Sequence, residues 1–120
     1  MKIKIFFLIL TTCLAMNMAF AQRPDRQPAD GVIYGTIHEK DSNEPVEFAN
    51  IVVYDKDGNV IAGSMSDSHG KFNIQNVPYG THKVEILFIG YGKVTRENVS
   101  ITADKKSFNM GKIHLSVDAQ

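Results

Sequence analysis

The sequence predicts an all-β protein, a Greek-key β-sandwich of about seven antiparallel strands that follows a cleaved signal peptide. After residue 21, Val and Ile together occur 19 times against two Leu, and β-branched side chains suit strands better than helices. Turn-forming residues recur at the spacing of roughly 8–12 residues that is typical of short strands in a sandwich. No stretch carries a sustained apolar repeat of about 3.6 residues, so no amphipathic helix is expected.

The first 21 residues have the pattern of a secretory signal peptide. Lys2 and Lys4 give a positive start, an apolar run follows, and Ala19–Ala21 is a small-x-small cleavage site. The alternative is a membrane anchor. The run from Ile5 to Ala21 is interrupted by polar residues and is shorter than the ~20 residues of a spanning helix. We therefore expect cleavage after Ala21 and no membrane-spanning segment in the mature chain.

Cleavage changes the composition of the chain. It removes two of the 13 basic residues and the only cysteine, Cys13, and it leaves all 13 acidic residues. The slightly acidic mature chain is not a basic nucleic-acid binder, and it has no thiol for a disulfide or a metal. Residues 22–30 are polar and are predicted to be a flexible lead-in. The folded domain is predicted over residues 31–117.

Alternation and turn residues divide residues 31–117 into seven predicted strands. They are Val32–His38, Phe48–Tyr54, Asn59–Ser66, Lys71–Gln75, Thr81–Phe88, Val94–Ile101 and Phe108–Val117. In the first strand, Ile33 and Ile37 share one face and are predicted to point into the core. The strand Val94–Ile101 is polar enough to lie at a sheet edge, and Gly111 predicts a bulge in the last strand.

Two turns share the same chemistry. Asp55–Gly58 and Asp67–Gly70 each place Asp at the first position and Gly at the fourth, as type I turns prefer. Asp67 is expected to accept hydrogen bonds from the turn amides, and Gly70 is expected to adopt the left-handed conformation. The regular spacing of the two turns predicts that the second, third and fourth strands form a β-meander.

Five short motifs follow one another along the chain. They are Gly31–Ile37 (GVIYGTI), Glu44–Ile51 (EPVEFANI), Ser66–Phe72 (SDSHGKF), Val77–Thr81 (VPYGT) and Ile89–Tyr91 (IGY). In this order and spacing they resemble the carboxypeptidase regulatory-like domain, a prealbumin-like β-sandwich. The resemblance covers residues 31–117, and Ser66 stands where the family often has Thr.

The subtype resembles the domain that precedes the plug or barrel of TonB-dependent receptors and related outer-membrane proteins of Bacteroidetes-type bacteria. This resemblance implies a non-catalytic accessory domain in the periplasm or on the periplasmic face of the outer membrane. It implies an outer-membrane barrel or plug, or a periplasmic protein, as the partner. In those receptors a plug or barrel follows, so we expect either a freestanding domain or the N-terminal piece of a receptor. Strand addition at Val94–Ile101 is one predicted binding mode, and a loop cluster is the other.

The sequence predicts no catalytic, cofactor or metal site. The four histidines, none of them spaced as a local metal motif, are His38, His69, His82 and His114. Asp55-x-Asp57-x-Asn59 superficially resembles a calcium loop, but Val60 and Ser66 stand where that loop needs Gly and Glu. A solvated turn is the better interpretation.

Two further functions belong to related folds. Transthyretin-like relatives include an enzyme that opens hydroxyisourate, but its terminal Tyr-Arg-Gly-Ser motif is missing from this chain. Carbohydrate binding is the alternative function, because starch-binding-like sandwiches are structurally close. Sugar sites stack a ring on an exposed aromatic side chain, and this chain has no Trp and four scattered tyrosines. They are Tyr34, Tyr54, Tyr79 and Tyr91.

Overall fold

Seven strands in two sheets make up the fold in a computed structural model, which describes residues 28–117. The predicted signal peptide and most of the predicted lead-in lie outside the described residues. The strands are β1 (Gly31–Glu39), β2 (Asn50–Tyr54), β3 (Val60–Met65), β4 (Lys71–Val77), β5 (Gly80–Leu87), β6 (Val94–Ile101) and β7 (Ser107–Leu115). Within residues 28–117, no helix has the length and apolar character needed to cross a bilayer.

The two sheets have the orders β4-β1-β7 and β3-β2-β5-β6. After β3 and β4, the chain returns so that β5 lies beside β2, which is a Greek-key connection. The predicted all-β Greek-key sandwich is therefore confirmed. The predicted edge position of β6 and the predicted bulge at Gly111 are also confirmed, because Tyr34 pairs with Asn109 while Thr36 pairs with Lys112.

One strand pair runs parallel rather than antiparallel. β1 and β7 are parallel neighbours from the pair Val32 and Ser107 to the pair Glu39 and Leu115. A parallel pair needs a long connection between its strands. Here that connection is the rest of the domain, so local turn signals give no indication of it.

The predicted β-meander is wrong. β3 pairs with β2, whereas β4 pairs with β1 in the other sheet. The turn Asp67–Gly70 makes the transfer, because the Gly70 carbonyl accepts a hydrogen bond from the Ile37 amide of β1 at 2.7 Å. The turn chemistry is nonetheless as predicted. Asp67 Oδ1 accepts from the amides of His69 and Lys71 at 2.9 Å each, and Gly70 has a φ of 75°.

The start of the second strand also differs from the prediction. β2 begins at Asn50, and Phe48 has a φ of 64° and is 61% exposed. The buried hydroxyl of Ser66 explains the path of the chain before β2. It donates to the Val46 carbonyl at 2.6 Å and accepts from the Ala49 amide at 2.9 Å. These two bonds hold the segment that precedes β2 and leave Phe48 outside the ladder.

The core lies between the two sheets and consists of the alternate, inward-facing residues of the strands. Ile33 and Ile37 are fully buried, as predicted. The other fully buried large side chains are Ile51, Val53, Ile74, Val77, Val84, Ile86, Val99, Ile101, Ile113 and Leu115. Each buried Val or Ile side chain contributes about 1.5–3 kcal/mol of transfer free energy, and this term holds the two layers together.

Every edge strand of the sandwich carries one extra residue that interrupts its ladder. The pairing registers shift near Asn76 in β4, Ile61 in β3, Asn98 in β6 and Gly111 in β7. Bulges twist an edge and leave part of it unable to continue a regular ladder, so they protect edges from pairing with further strands. All four edges of this sandwich are protected in that way.

The chain enters and leaves at opposite ends of the sandwich. At the N-terminal end, the Pro28 carbonyl accepts from the Tyr79 amide at 3.2 Å, and Asp30 pairs with Lys106 at 3.0 Å. The C-terminal end contains the β1–β2 loop, the β3–β4 turn, the β5–β6 loop and residues 116–117. There the Gly92 amide donates to the Ser116 carbonyl at 2.9 Å.

Candidate interaction surfaces

Exposed apolar side chains gather at the C-terminal end of the sandwich. Of the seven large hydrophobic residues that are exposed in the described chain, five lie at this end, and one of them, Met65, lies opposite Asn50 at the end of β3 and lines a different groove. We call the other four residues the apolar end: Phe48 (61% exposed), Leu87 (37%), Ile89 (91%) and Val117 (61%). The turns of the opposite end carry mostly charged and polar residues, and at the C-terminal end the four apolar residues lie beside polar segments of the β1–β2 loop and the β3–β4 turn.

The backbone explains why these four residues meet although they are distant in the sequence. Asn50 pairs with Leu87 across β2 and β5, which brings Phe48 to the end of β5. Ile89 lies in the loop that follows β5, and Tyr91 of the same loop forms an isolated bridge with Val117. Three separate segments of the chain therefore contribute to one surface.

A groove of about 350 Å³ runs between the β1–β2 and β5–β6 loops of the apolar end. Its lining residues are Phe48, Asn50, Leu87, Phe88, Ile89, Tyr91 and Lys93. Lys93 is the one charged residue in this lining. Its ammonium lies 3.7 Å from a Glu85 carboxylate oxygen that also lies 3.6 Å from Lys83. One carboxylate thus faces two ammonium groups.

Tyr91 fixes the β5–β6 loop against the rest of the fold. Its hydroxyl donates to Glu39 Oε2 at 2.8 Å, and this hydrogen bond raises the pKa of the Tyr91 phenol. Its ring lies 5.5 Å from that of Phe88, centroid to centroid. Both contacts hold the loop, so Ile89 is presented from a supported turn.

The four histidines do not come together in a common site. His38 and His114 are neighbours in the parallel ladder, His69 lies in the β3–β4 turn, and His82 is 5% exposed in β5. His82 Nε2 lies 2.6 Å from the Pro78 carbonyl, while its buried Nδ1 has no hydrogen-bond partner. Across residues 28–117, no three His, Cys, Asp or Glu side chains come together as metal ligands.

The Asp55 loop is a turn, as its sequence indicates. Asp55 Oδ1 accepts from the amides of Asp57 and Asn59 at 2.9 Å each. These bonds, led by the one from the Asn59 amide, lower the pKa of Asp55. The Gly58 amide closes the turn on the Asp55 carbonyl at 3.1 Å. The carboxylate is therefore engaged by its own turn.

Local sequence patterns do not reveal the apolar end. They predict a strand at Phe48, and Ile89 is recognisable only as part of a family motif. The one local signal was Ile89 next to Gly90, because an aliphatic side chain beside a turn glycine is unlike the polar composition of most turns. The gathering of the other three residues depends on strand register and is not visible in the sequence.

The comparison with protein families gives one match. The family described as the carboxypeptidase regulatory-like domain matches residues 32–115. A search of curated proteins finds no match to this chain.

Solved structures share the fold at low sequence identity. A chain of a type II cohesin–X-dockerin complex from Acetivibrio cellulolyticus has 21% identity and a TM-score of 0.57, over 71% of this chain and 56% of that one. BcpA, the major pilin subunit of Bacillus cereus, has 16% identity and a TM-score of 0.60, over 76% of this chain and 31% of that one. A 9R-lipoxygenase from Cyanothece PCC8801 has 15% identity and a TM-score of 0.51, over 81% of this chain and 18% of that one. These similarities show the fold alone, and this chain spans less than two thirds of each of those chains.

Proposed function

Because this chain belongs to the carboxypeptidase regulatory-like domain family, we propose that it is a non-catalytic accessory domain that binds a partner protein in the cell envelope. The predicted signal peptide supports export to the periplasm. The resemblance to the domain that precedes the plug of TonB-dependent receptors favours the periplasmic face of the outer membrane. The partner is then an outer-membrane barrel or plug, or a periplasmic protein. Transport itself would belong to that partner.

The observation that carries this proposal is the apolar end. A contiguous group of exposed apolar side chains marks an interaction site, whereas apolar residues scattered singly over a surface are ordinary. Ile89 is 91% exposed on a loop that two other contacts support, so its exposure is a feature of the folded state. A stable interface buries about 800 Å² per partner, so four side chains suit an accessory contact rather than an obligate dimer.

The strand β6 is a weaker binding surface than the apolar end. It lies at a sheet edge, which strand addition requires. However, its ladder is interrupted near Asn98, which has a φ of 59°, and Arg96 and Glu97 are exposed beside the interruption. An added strand would meet an irregular, charged edge. We therefore assign partner binding to the loop cluster of the apolar end.

Site-specific photocrosslinking in the native bacterium tests this function. A photoreactive phenylalanine analogue replaces Ile89 at the apolar end in one strain. In a matched strain it replaces Lys56, which is exposed in a turn at the opposite end. After irradiation, envelope fractions are separated and the crosslinked species is identified by mass spectrometry.

We expect a defined adduct with an outer-membrane or periplasmic protein from position 89 and none from position 56. Equal crosslinking from both positions would contradict docking at the apolar end. Recovery of the unprocessed chain in the cytoplasm would contradict export. An adduct made only with a second copy of this chain would contradict binding to a different protein and would indicate self-association instead.

A further inference from the structure

The outer face of the three-stranded sheet presents an aromatic ring between two amides. Tyr34 of β1 pairs with Asn73 of β4 on one side and with Asn109 of β7 on the other. Residues that are directly opposite on neighbouring strands project on the same face of a sheet. Tyr34 is 39% exposed, and both asparagines are exposed. The three side chains therefore form a row across the full width of this sheet.

This row lies in an open groove of about 700 Å³. Other lining residues are Thr36, Met65, Asp67, Lys71 and Phe72, with Gly35 and Gly111 adding no side chains. The Gly111 amide donates to Asn109 Oδ1 at 2.8 Å, which orients the Asn109 amide and leaves its Nδ2 hydrogens available to a ligand. The bulge at Gly111 thus positions a side chain of the groove.

We propose that this groove binds a neutral saccharide, with a pyranose ring against Tyr34 and its hydroxyl groups bonded to Asn73 and Asn109. A pyranose has an apolar face of C–H groups and a rim of hydroxyls that both donate and accept hydrogen bonds. An aromatic ring matches the first, and primary amides, which carry donors and an acceptor, match the second. This site is centred on the sheet β4-β1-β7, shares no lining residue with the groove of the apolar end and does not depend on the proposed partner.

The charges of the groove favour a neutral ligand over an acidic one. Lys71 and Asp67 both line it and carry opposite charges, so the lining has no net charge to select an ion. The volume is within the range of about 300–1,000 Å³ that small-molecule sites occupy. One or two sugar rings are the size of ligand that such a groove accepts.

Two of the other tyrosines are already engaged in ways that disfavour stacking. The Lys83 ammonium lies 4.9 Å from the centroid of the Tyr54 ring and covers it. The Tyr91 ring packs beside Phe88, and its hydroxyl bonds Glu39. Tyr34 is the tyrosine among the exposed large hydrophobic residues of the described chain. It is therefore the ring that we assign to the saccharide.

Titration of the mature chain, ¹⁵N-labelled, with neutral disaccharides tests this inference by NMR. The probes are maltose, cellobiose and N,N′-diacetylchitobiose, and digalacturonic acid is the acidic comparison. We expect saturable shifts of the amide signals of Tyr34, Asn73 and Gly111 with at least one neutral probe, at a Kd of about 1 mM or tighter. Absence of saturable shifts for all three neutral probes would overturn the inference, and so would stronger binding of the acidic disaccharide.

Variants separate stacking from other effects. Tyr34→Ala is expected to weaken binding by roughly tenfold or more, whereas Tyr34→Phe, which keeps the ring, is expected to stay within about threefold. Tyr54→Ala on the other sheet is the matched control and should bind as the unaltered chain does. Asn73→Ala tests the groove a second time if Tyr34→Ala fails to fold. Binding that survives both Tyr34→Ala and Asn73→Ala in folded protein would refute the assignment.

Discussion

The hydroxyl of Ser66 is the buried polar group on which the β1–β2 loop depends most directly. It satisfies the Val46 carbonyl and the Ala49 amide at once, in a site where Ser66 is 3% exposed. We expect Ser66→Ala to lower the free energy of unfolding by about 2 kcal/mol, because two buried backbone groups lose their partner. Urea denaturation followed by circular dichroism measures this difference.

Ser64→Ala is the matched control for the Ser66 variant. The Ser64 hydroxyl makes only a long contact of 3.4 Å to the Met65 carbonyl, and its loss should change stability by less than about 0.5 kcal/mol. Equal stabilities of the two variants would show that water replaces the Ser66 hydroxyl. From the sequence, Ser66 was merely a family position with Ser instead of Thr, because the partners of a hydroxyl depend on tertiary structure.

Asp67 gives the turn before β4 a dependence on pH. Hydrogen bonds from the amides of Lys71 and His69 lower the pKa of Asp67 below its ordinary value of 3.8. A carboxyl with a lowered pKa in the folded state stabilises the fold above pH 3.8, and this stabilisation is lost as the pH falls through the lowered value. We expect Asp67→Asn to have a lower Tm than the unaltered chain at pH 6, with the difference closing in strong acid.

Thermal unfolding across pH 2–7 measures this difference, and Asp104→Asn controls for the removal of one exposed carboxylate. A gap between Asp67→Asn and the unaltered chain that stays constant down to the acid end would contradict the assigned cause.

At the scale of the element, the two Asp…Gly turns look alike in sequence but differ in what surrounds their glycines. Gly58 and Gly70 have φ values of 83° and 75°. A Cβ added at Gly58 meets open space, whereas one at Gly70 collides with the backbone oxygen of Ile37. We expect Gly58→Ala to cost about 1 kcal/mol from the left-handed backbone and Gly70→Ala to cost on the order of 3 kcal/mol. Chemical denaturation of the two variants in parallel gives the comparison.

A similar loss of stability for both glycine variants would mean that β1 shifts to make room for the new methyl group.

Local sequence signals predict single strands and turns best. Alternation of Val and Ile predicted the inward faces, and Asp with Gly predicted both turns. Local signals failed at the transfer of β4 to the other sheet, because the decisive hydrogen bond joins the Gly70 carbonyl to Ile37, far away in the sequence. The residues of a turn determine that the chain reverses direction, but they do not determine which strand the next strand pairs with.

At the scale of the whole molecule, the last strand completes the first. β7 supplies the buried residues Ile113 and Leu115 and covers one side of the central strand β1. We expect a chain that ends after Lys106 to lose cooperative unfolding, because the core and the β1 ladder are both left open. A chain that ends after Val117 should unfold as the complete sequence does. Near-ultraviolet circular dichroism and thermal melts of the two truncated chains test this prediction. A cooperative melt of the chain that ends after Lys106 would contradict the requirement for β7.

The proposed binding surfaces also belong to the whole molecule, and for that reason local sequence patterns do not identify their residues. Phe48, Leu87 and Val117 meet through two separate strand pairings, and the row of Tyr34 between two asparagines exists only in the assembled sheet. The sequence did contain the family motifs, since most of them are local turns and strand starts. The sequence therefore predicts the fold class well and the residues of the proposed binding surfaces poorly.

The parallel pairing of β1 with β7 determines how the domain would respond to mechanical tension. The chain enters at the start of β1, and it leaves beyond the end of β7 on the far side of the sandwich. A force that draws the two ends apart slides one strand along the other. The bonds from Val32 to Glu39 then share the load together instead of opening one after another. In a chain held at both ends, this sandwich would be a stiff link that resists stretching.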